Sequence, residues 1–265
     1  MKLPLILLSV SLIAISPAAW GQPARVLEQP VEFPGAGGET PAHLYAPEGG
    51  GRRPGVLVLH TSAGPGPNVE AFARRLATEG FVTLTPDLFN LHEFGPEGRF
   101  DHPLVLKDVE GAVAFLKDHP RVDPARLGVV GYSFGGRMAI LAAAAHPELK
   151  AAVVYYAVAS FQALATERPV DDSARRSRPL TERVRSIRAA VLIHHGGADG
   201  RVPVQQGEIL HRALLGAGKA SSLHVYPGAD HLFNFSLGPD ATTHHPEVDA
   251  LSWERTLAFL RRHLF

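Results

Sequence analysis

Ser133 lies in the run Gly131-Tyr132-Ser133-Phe134-Gly135, which has the G-x-S-x-G spacing. An apolar run precedes it and an alanine-rich segment follows, and between a strand and a helix this pattern places the serine on a sharp turn above a sheet. The two glycines leave out side chains that would strike the neighbouring strand or helix. A serine exposed in this way can attack a carbonyl carbon, so Ser133 is the candidate nucleophile. The alternative is a glycine-rich turn whose serine only caps the helix.

A serine hydroxyl is a weak nucleophile, and it needs a general base that is itself oriented by an acid. Two predicted strands, residues 191–195 and 223–226, are each followed by a loop with a candidate, Asp199 after the first and His231 after the second. The carboxyl ends of parallel strands share one edge of a sheet. We therefore predict Asp199 as the acid and His231 as the base. Asp230 is the alternative acid, and ordinary turn or loop positions are the alternatives for Asp199 and His231.

The negative charge that develops on a carbonyl oxygen during such an attack needs N–H donors. One should be the backbone N–H of Phe134, directly after the nucleophile. The second should come from the loop after the strand at residues 56–59, where we favour Ser62 over Thr61. A crossover loop without this role is the alternative.

The 265-residue chain contains 26 basic and 26 acidic side chains, 14 histidines and no cysteine. A formal charge of zero argues against nucleic acid as a partner, and the absence of cysteine excludes a thiol nucleophile. His194 and His195 lie on a predicted core strand, whereas His244 and His245 precede the last helix and are either solvated or a weak metal pair. None has a further ligand at a suitable spacing, so no metal site is predicted.

Short apolar runs alternate with amphipathic segments, a pattern typical of an α/β domain. We predict a doubly wound, mostly parallel sheet of about eight strands flanked by helices, with Asn68 capping the first helix. The strands are predicted as an edge hairpin within 25–46 and as 56–59, 81–85, 127–131, 151–156, 191–195 and 223–226. The later helices are predicted at 104–117, 138–145, 204–215 and 251–264.

The N-terminus has the features of a secretory signal peptide. Lys2 precedes an apolar run at residues 3–15, which would be about 20 Å long as a helix and too short for a bilayer core of roughly 30 Å. Ala19 and Gly21 are small residues at the positions that a signal peptidase needs, so cleavage is predicted before Gln22. We therefore expect a protein exported to the periplasm or secreted, without a stable membrane anchor. An uncleaved anchor is the alternative.

Residues 157–188 form the longest irregular stretch, with seven arginines against four acidic residues. An insertion of this length between two core strands is usually functional or mobile. Together with Phe89, Phe94 and Phe100, it is predicted to wall the substrate pocket. Its arginines either attract an acidic substrate or form a solvated charged face, and the second interpretation is favoured.

Across residues 40–265 the chain resembles the dienelactone hydrolase family. The resemblance implies an α/β-hydrolase fold as one domain over residues 22–265, after the signal peptide at 1–21, with no cofactor and a small-molecule ester or lactone as substrate. The order and spacing of several motifs carry it: residues 55–60, 85–89, 131–136, 194–203 and 226–233.

Several positions depart from the founding members of that family. Those members use a cysteine where this chain has Ser133, and an acidic residue where it has Thr61. Phe89 and Phe235 stand where a tyrosine and an arginine that hold the lactone carboxylate are expected. We expect substrate contacts from Phe89, Thr61 and Tyr132, and an enzyme more like a general esterase.

The expected function is therefore that of an exported serine hydrolase, which cleaves a carboxylic ester or lactone through an acyl-enzyme. Three alternatives remain open: a peptidase of the same fold, a noncatalytic binding module that retains the fold, and a metal-dependent hydrolase that uses the histidine pairs. The sequence leaves the oligomeric state undetermined.

Overall fold

The computed structural model describes residues 25–89, 92, 103–167, 169, 170 and 172–265. The predicted signal peptide, Phe94, Phe100 and Arg168 lie outside the described residues.

Within those ranges, eight strands form one sheet in the order β1-β2-β4-β3-β5-β6-β7-β8. β1 pairs antiparallel with β2, and β2 antiparallel with β4, while all the remaining neighbours are parallel. This confirms the predicted α/β architecture with its hairpin at one edge. The strands are β1 Val26–Pro34, β2 Glu39–Pro47, β3 Arg53–Leu59, β4 Val82–Pro86, β5 Val122–Tyr132, β6 Leu149–Tyr155, β7 Ala190–Gly196 and β8 Ser221–Tyr226.

Helices cover both faces of the sheet. α2, α3 and α6 pack on one face, and α1 and α7 pack on the other. No helix in the described ranges is both long and apolar enough to cross a bilayer. The helices are α1 Pro67–Thr78, α2 Pro103–Asp118, α3 Phe134–Ala145, α4 Phe161–Leu164, α5 Asp172–Arg176, α6 Gln205–Gly216 and α7 Pro246–Leu264.

The continuous apolar run in β3 follows from burial on both sides. Val56 and Val58 belong to the core under α1 and α7, whereas Leu57 and Leu59 belong to the core under α2, α3 and α6. Successive side chains of a strand point to opposite faces, so a strand covered twice has no position for a polar residue. This arrangement holds the carboxyl ends of the strands at one rigid edge.

The start of α1 differs from the prediction. The capping position is Gly66 and the first helical residue is Pro67, so Asn68 lies inside the first turn. A proline suits this first position because its ring fixes φ near the helical value and it lacks the N–H that would be left unpaired. The Asn68 side chain instead binds the backbone of Leu237, donating to its carbonyl at 2.8 Å and accepting from its N–H at 2.9 Å.

The long stretch between β6 and β7 is built from short elements. α4 and α5 lie there with two single turns of 3-10 helix, Leu180–Glu182 and Val184–Ser186. Some of its apolar side chains form a small separate core with Val202, whereas Leu180, Val184 and Ile187 join the core under α2, α3 and α6. The arginines described in this stretch are exposed. The arginines therefore form a solvated face, as favoured from the sequence.

Candidate active site

Ser133 occupies a tight turn between β5 and α3. Its φ of 52° lies in the left-handed region, and its side chain makes no capping hydrogen bond to the helix. A Cβ on Gly131 would lie 2.0 Å from the carbonyl oxygen of Gly135, and a Cβ on Gly135 would lie 2.3 Å from that of Leu59. Only glycine fits at both positions, because backbone atoms cannot move aside as a side chain can. The turn therefore exposes the serine hydroxyl instead of using it as a cap.

The structure brings Ser133, His231 and Asp199 together. The Nε2 of His231 lies 3.1 Å from the Oγ of Ser133, and its Nδ1 lies 2.7 Å from the Oδ2 of Asp199. An ionised carboxylate only accepts hydrogen bonds, so the imidazole proton resides on Nδ1. Nε2 then carries a lone pair and accepts from the serine hydroxyl. This tautomer is the one that a general base for Ser133 requires.

The carboxylate of Asp199 is buried and fully hydrogen-bonded. Its Oδ1 accepts from the backbone N–H of Arg201 at 2.9 Å and of Val202 at 2.7 Å, and its side chain has no exposed surface. A buried charge is tolerated when such bonds replace water. Asp230, the alternative acid, does not reach the imidazole ring; its Oδ1 accepts from the backbone N–H groups of Gly200 and His231.

Backbone strain is concentrated at this edge of the sheet. In the described part of the chain, the non-glycine residues with a left-handed φ are Ser133, Tyr156 and Leu232. Tyr156 follows β6, its ring lies 4.6 Å from that of His231, and its hydroxyl donates to Asn234 at 2.8 Å. Leu232 is the residue after His231. Such strain persists only where the surroundings over-determine the conformation, and it commonly marks functional sites.

Two other histidines, on β7, are buried, and the Nε2 of His195 lies 3.7 Å from the Oδ2 of Asp199. Burial lowers the pKa of His195, whose Nε2–H donates to the carbonyl of Val202 at 2.8 Å and so supports the turn that holds Asp199. Burial also lowers the pKa of His194 well below its usual value. His194 lies between the hydroxyls of Tyr226 (2.7 Å) and Thr256 (3.0 Å), under α7. The lowered pKa values favour the neutral form of both rings, and each ring supports the fold through its hydrogen bonds.

His60 links two loops beside the site. The backbone N–H of Leu88 donates to its Nε2 at 3.1 Å, so the ring proton must reside on Nδ1. Nδ1–H in turn donates to the carbonyl of Thr61 at 2.7 Å. The ring therefore fixes the backbone directly before Ser62. This contribution was not predicted from the sequence, although His60 directly follows the core strand β3.

A cleft of about 320 Å³ opens above Ser133. Ser62 and Phe134, the two predicted oxyanion residues, both line it. The small apolar core of the stretch between β6 and β7 forms part of its wall. The complete lining is Ser62, Ser133, Phe134, Arg137, Val158, Phe161, Leu164, Pro169, Val170, Ala174, Arg201, Val202 and His231.

Three predicted substrate contacts do not line this cleft. Tyr132 is fully buried on the opposite face, against Phe72 of α1, because adjacent strand residues point to opposite sides. Phe89 packs behind the cleft against Phe134, with ring centroids 5.2 Å apart. Thr61 is buried and its hydroxyl accepts from Ala63 N at 3.1 Å, which stabilises the loop instead of meeting a ligand.

Arg137 is a cleft residue that the sequence analysis missed. It is almost completely buried, and its guanidinium donates to the carbonyls of Val158 at 3.2 Å and Arg178 at 2.5 Å. It lies four residues after Ser133, one helical turn further along α3, and this spacing was the available signal. Arg137 fastens the stretch between β6 and β7 to the helix that follows the nucleophile.

The two histidines before α7 have different surroundings. His244 Nε2 lies 3.2 Å from Asp249 Oδ2, and the Nδ1 of His245 is buried without a hydrogen-bond partner. Among the described residues, no three His, Cys, Asp or Glu side chains come close enough to hold a metal ion.

A mostly parallel eight-stranded sheet with a serine on the turn between β5 and α3 defines an α/β-hydrolase. Comparison with solved structures agrees. A crystal structure of a "Putative Dienelactone Hydrolase" from Klebsiella pneumoniae matches with a TM-score of 0.76 and 26% identity, over 90% of this chain and 99% of that one.

The chain belongs to the dienelactone hydrolase family, whose model matches residues 40–264. A protein of Methylorubrum extorquens named "Putative carboxymethylenebutenolidase" is 31% identical over 247 residues, covering 88% of this chain and 80% of its own length. The carboxymethylenebutenolidase of Rhodococcus opacus is 29% identical over 254 residues, covering 91% and 93%. The chain is accordingly a hydrolase of carboxylic esters or lactones.

Proposed function

We propose that the protein is an exported serine hydrolase that cleaves its ester or lactone through an acyl-enzyme on Ser133. The observation that supports this most strongly is the continuous hydrogen-bonded chain from the Ser133 hydroxyl through His231 to Asp199. Its distances, its burial and the imidazole tautomer all suit proton transfer away from the serine.

In the proposed reaction, the Oγ of Ser133 attacks the carbonyl carbon while its proton moves to the Nε2 of His231. Asp199 holds the resulting imidazolium in place through Nδ1–H. The tetrahedral intermediate expels the alcohol, which takes the proton from Nε2, and the acyl group remains on Ser133. Water then attacks the acyl carbon and gives a proton to the Nε2 of His231. The second tetrahedral intermediate breaks its bond to the Oγ of Ser133, which takes that proton back from Nε2, and the acid product leaves.

The oxyanion of each tetrahedral intermediate is assigned to the backbone N–H groups of Phe134 and Ser62. Both residues line the cleft beside Ser133. Phe134 is the first residue of α3, so a negative charge there is also stabilised by the helix N-terminus. Two fixed donors of this kind typically contribute about 10²-fold or more each to the rate.

The test is Ser133→Ala, assayed with short acyl esters. Loss of the nucleophile should reduce kcat by about 10⁴- to 10⁶-fold. Ser186→Ala, an exposed serine in the stretch between β6 and β7, is the control and should behave like the parent. A fluorophosphonate probe should label the parent at Ser133, as located by mass spectrometry. A Ser133→Ala variant with parental activity would exclude the mechanism, and an unlabelled parent would favour a noncatalytic module.

Lactones and esters are proposed as substrates ahead of peptides. The names of two relatives, "Putative carboxymethylenebutenolidase" and "Carboxymethylenebutenolidase", support the lactone class. A panel of matched substrates that differ only in ester, lactone or amide linkage distinguishes the candidates. Faster cleavage of the amides would favour the peptidase alternative.

Export is proposed from the N-terminal segment alone, with a mature single domain over residues 22–265. Expression of the full chain in a bacterial host, followed by fractionation and mass spectrometry, tests this. We expect a mature N-terminus at Gln22 in the periplasmic or culture fraction. An intact Met1 in the cytoplasmic or membrane fraction would contradict export.

A further inference from the structure

Asp230 joins the loop that carries the acid to the loop that carries the base. Its Oδ1 accepts from the backbone N–H of Gly200 at 2.9 Å and from that of His231 at 2.6 Å. Gly200 directly follows Asp199, and His231 is the proposed base itself. A single carboxylate oxygen therefore fixes the backbone next to both partners of the His231–Asp199 contact.

The same two loops are also joined nearer the sheet. Gly197 N donates to Tyr226 O at 2.7 Å, and Ala198 N donates to Ala229 O at 2.9 Å. A Cβ on Gly196 would come within 2.4 Å of Ala229 O, which shows how closely the backbones approach. These backbone contacts align the parts of the two loops that lie next to the sheet. The contact through Asp230 lies further out, where Asp199 and His231 meet.

The electrostatic surroundings keep Asp230 ionised. Its partial burial alone would raise the pKa of this carboxyl, but the N–H groups of Gly200 and His231, together with nearby charges, outweigh burial and lower the pKa below its usual value. Arg201 and the imidazole of His231 are the charged or titratable groups that also favour the ionised form. An ionised carboxylate is the stronger hydrogen-bond acceptor, so both contacts are charge-assisted.

We propose that Asp230 is a positioning residue for the reaction, which keeps the His231 ring and the Asp199 carboxylate in register so that Nε2 remains within reach of Ser133. This inference rests on the proposed function. Displacement of a reacting group by about 1 Å can reduce the rate by about 10²-fold, so a bond that fixes both loops has a measurable effect.

The test compares three substitutions at this position, with kcat and KM measured on one short acyl ester well below the unfolding temperature. Asp230→Asn keeps an acceptor oxygen in place but removes the charge, and should retain most of kcat. Asp230→Glu keeps the charge but moves the oxygen by one methylene, and should lower kcat by about 10- to 100-fold, with KM within about two-fold. Asp230→Ala should show a similar loss. The rate of fluorophosphonate labelling at Ser133 should follow kcat in all three.

Asp123→Ala is the matched control. Asp123 likewise accepts a backbone N–H through Oδ1, from Ala125 at 3.0 Å, but near the opposite end of β5 from Ser133. Its loss should affect stability and leave kcat unchanged.

Three outcomes would overturn the proposal: parental kcat in both Asp230→Ala and Asp230→Glu, an Asp230→Asn variant as slow as Asp230→Ala, or an equal loss in Asp123→Ala. If Asp230→Ala does not fold, the Asn and Glu variants decide the question by themselves. An inactive Ser133→Ala variant beside an unaffected Asp230 series would overturn this inference alone, whereas an active Ser133→Ala would overturn the proposed function.

Discussion

The Oδ2 of Asp199 lies 2.7 Å from the Nδ1 of His231, although 32 positions separate the two residues in the chain. The side chains are 0% and 5% exposed, so water does little to screen the contact. It forms because β7 and β8 are parallel neighbours whose carboxyl ends meet at the same edge of the sheet. The loop after β7 supplies Asp199 and the loop after β8 supplies His231. Ser133, directly after β5, lies within hydrogen-bond distance of His231.

Replacement of Asp199 should leave the protein folded but lower its kcat. In Asp199→Asn the amide no longer stabilises an imidazolium or selects the Nδ1–H tautomer, so we expect kcat to fall by about 10³- to 10⁴-fold. Asp249→Asn is the control, because it removes the carboxylate of a different Asp–His pair, 3.2 Å apart, in the first turn of α7. Steady-state kinetics on both variants provide the comparison, and equal losses would contradict the assignment of Asp199.

The turn that carries Ser133 should not tolerate a methyl group at its second glycine. A Cβ on Gly135 would meet Leu59 O at 2.3 Å, so Gly135→Ala should destabilise the protein by about 1–3 kcal/mol or more. Gly216→Ala, at the end of α6 with nothing within 4 Å of its Cβ position, should instead stabilise it by about 0.5–1 kcal/mol. Urea unfolding measures both changes, and a neutral Gly135→Ala would contradict the close approach.

His60 should affect both stability and rate through the loop before Ser62. His60→Leu removes the acceptor for Leu88 N and the donor for Thr61 O, which should cost about 1–3 kcal/mol in the free energy of unfolding. We also expect kcat to decrease with little change in KM, because Ser62 is proposed to act in the transition state. His60→Gln, which offers an acceptor and a donor, should recover part of both losses. An unchanged kcat in His60→Leu would argue against Ser62 as an oxyanion donor.

Acid should destabilise the protein partly through His194. Burial lowers the pKa of this ring in the folded state, whereas in the unfolded chain it returns to about 6.5. As the pH falls below that value, the unfolded state takes up the proton first, so the contribution of His194 is complete above about pH 6.5 and decreases below it. The loss is at most about 1.4 kcal/mol per pH unit from this group.

His194→Gln provides the corresponding measurement. The free energy of unfolding should fall less steeply between pH 7 and pH 5 in this variant than in the parent. The dependence should not vanish, because burial also lowers the pKa of His195. If the free energy of unfolding falls equally steeply with decreasing pH in the variant and in the parent, another group dominates this pH dependence.

The amino-acid sequence by itself determined the strands, the alternation with helices and the loops in which Ser133, Asp199 and His231 lie. Apolar periodicity and glycine spacing depend on neighbours within a few positions, and those neighbours are visible in a linear chain. The family resemblance followed from the order of these same motifs.

Only the tertiary structure decided which way individual side chains point and which distant residues meet. Tyr132 is adjacent to Ser133, yet it enters the core under α1, because the pleat of β5 sends neighbouring side chains to opposite faces. Asn68 binds Leu237 across 169 positions instead of capping its own helix. The carboxylate of Asp230 accepts hydrogen bonds from backbone N–H groups, whereas that of Asp199 accepts one from the imidazole of His231. Such pairings depend on the register of strands and the exact path of loops, and no local pattern in the chain encodes them.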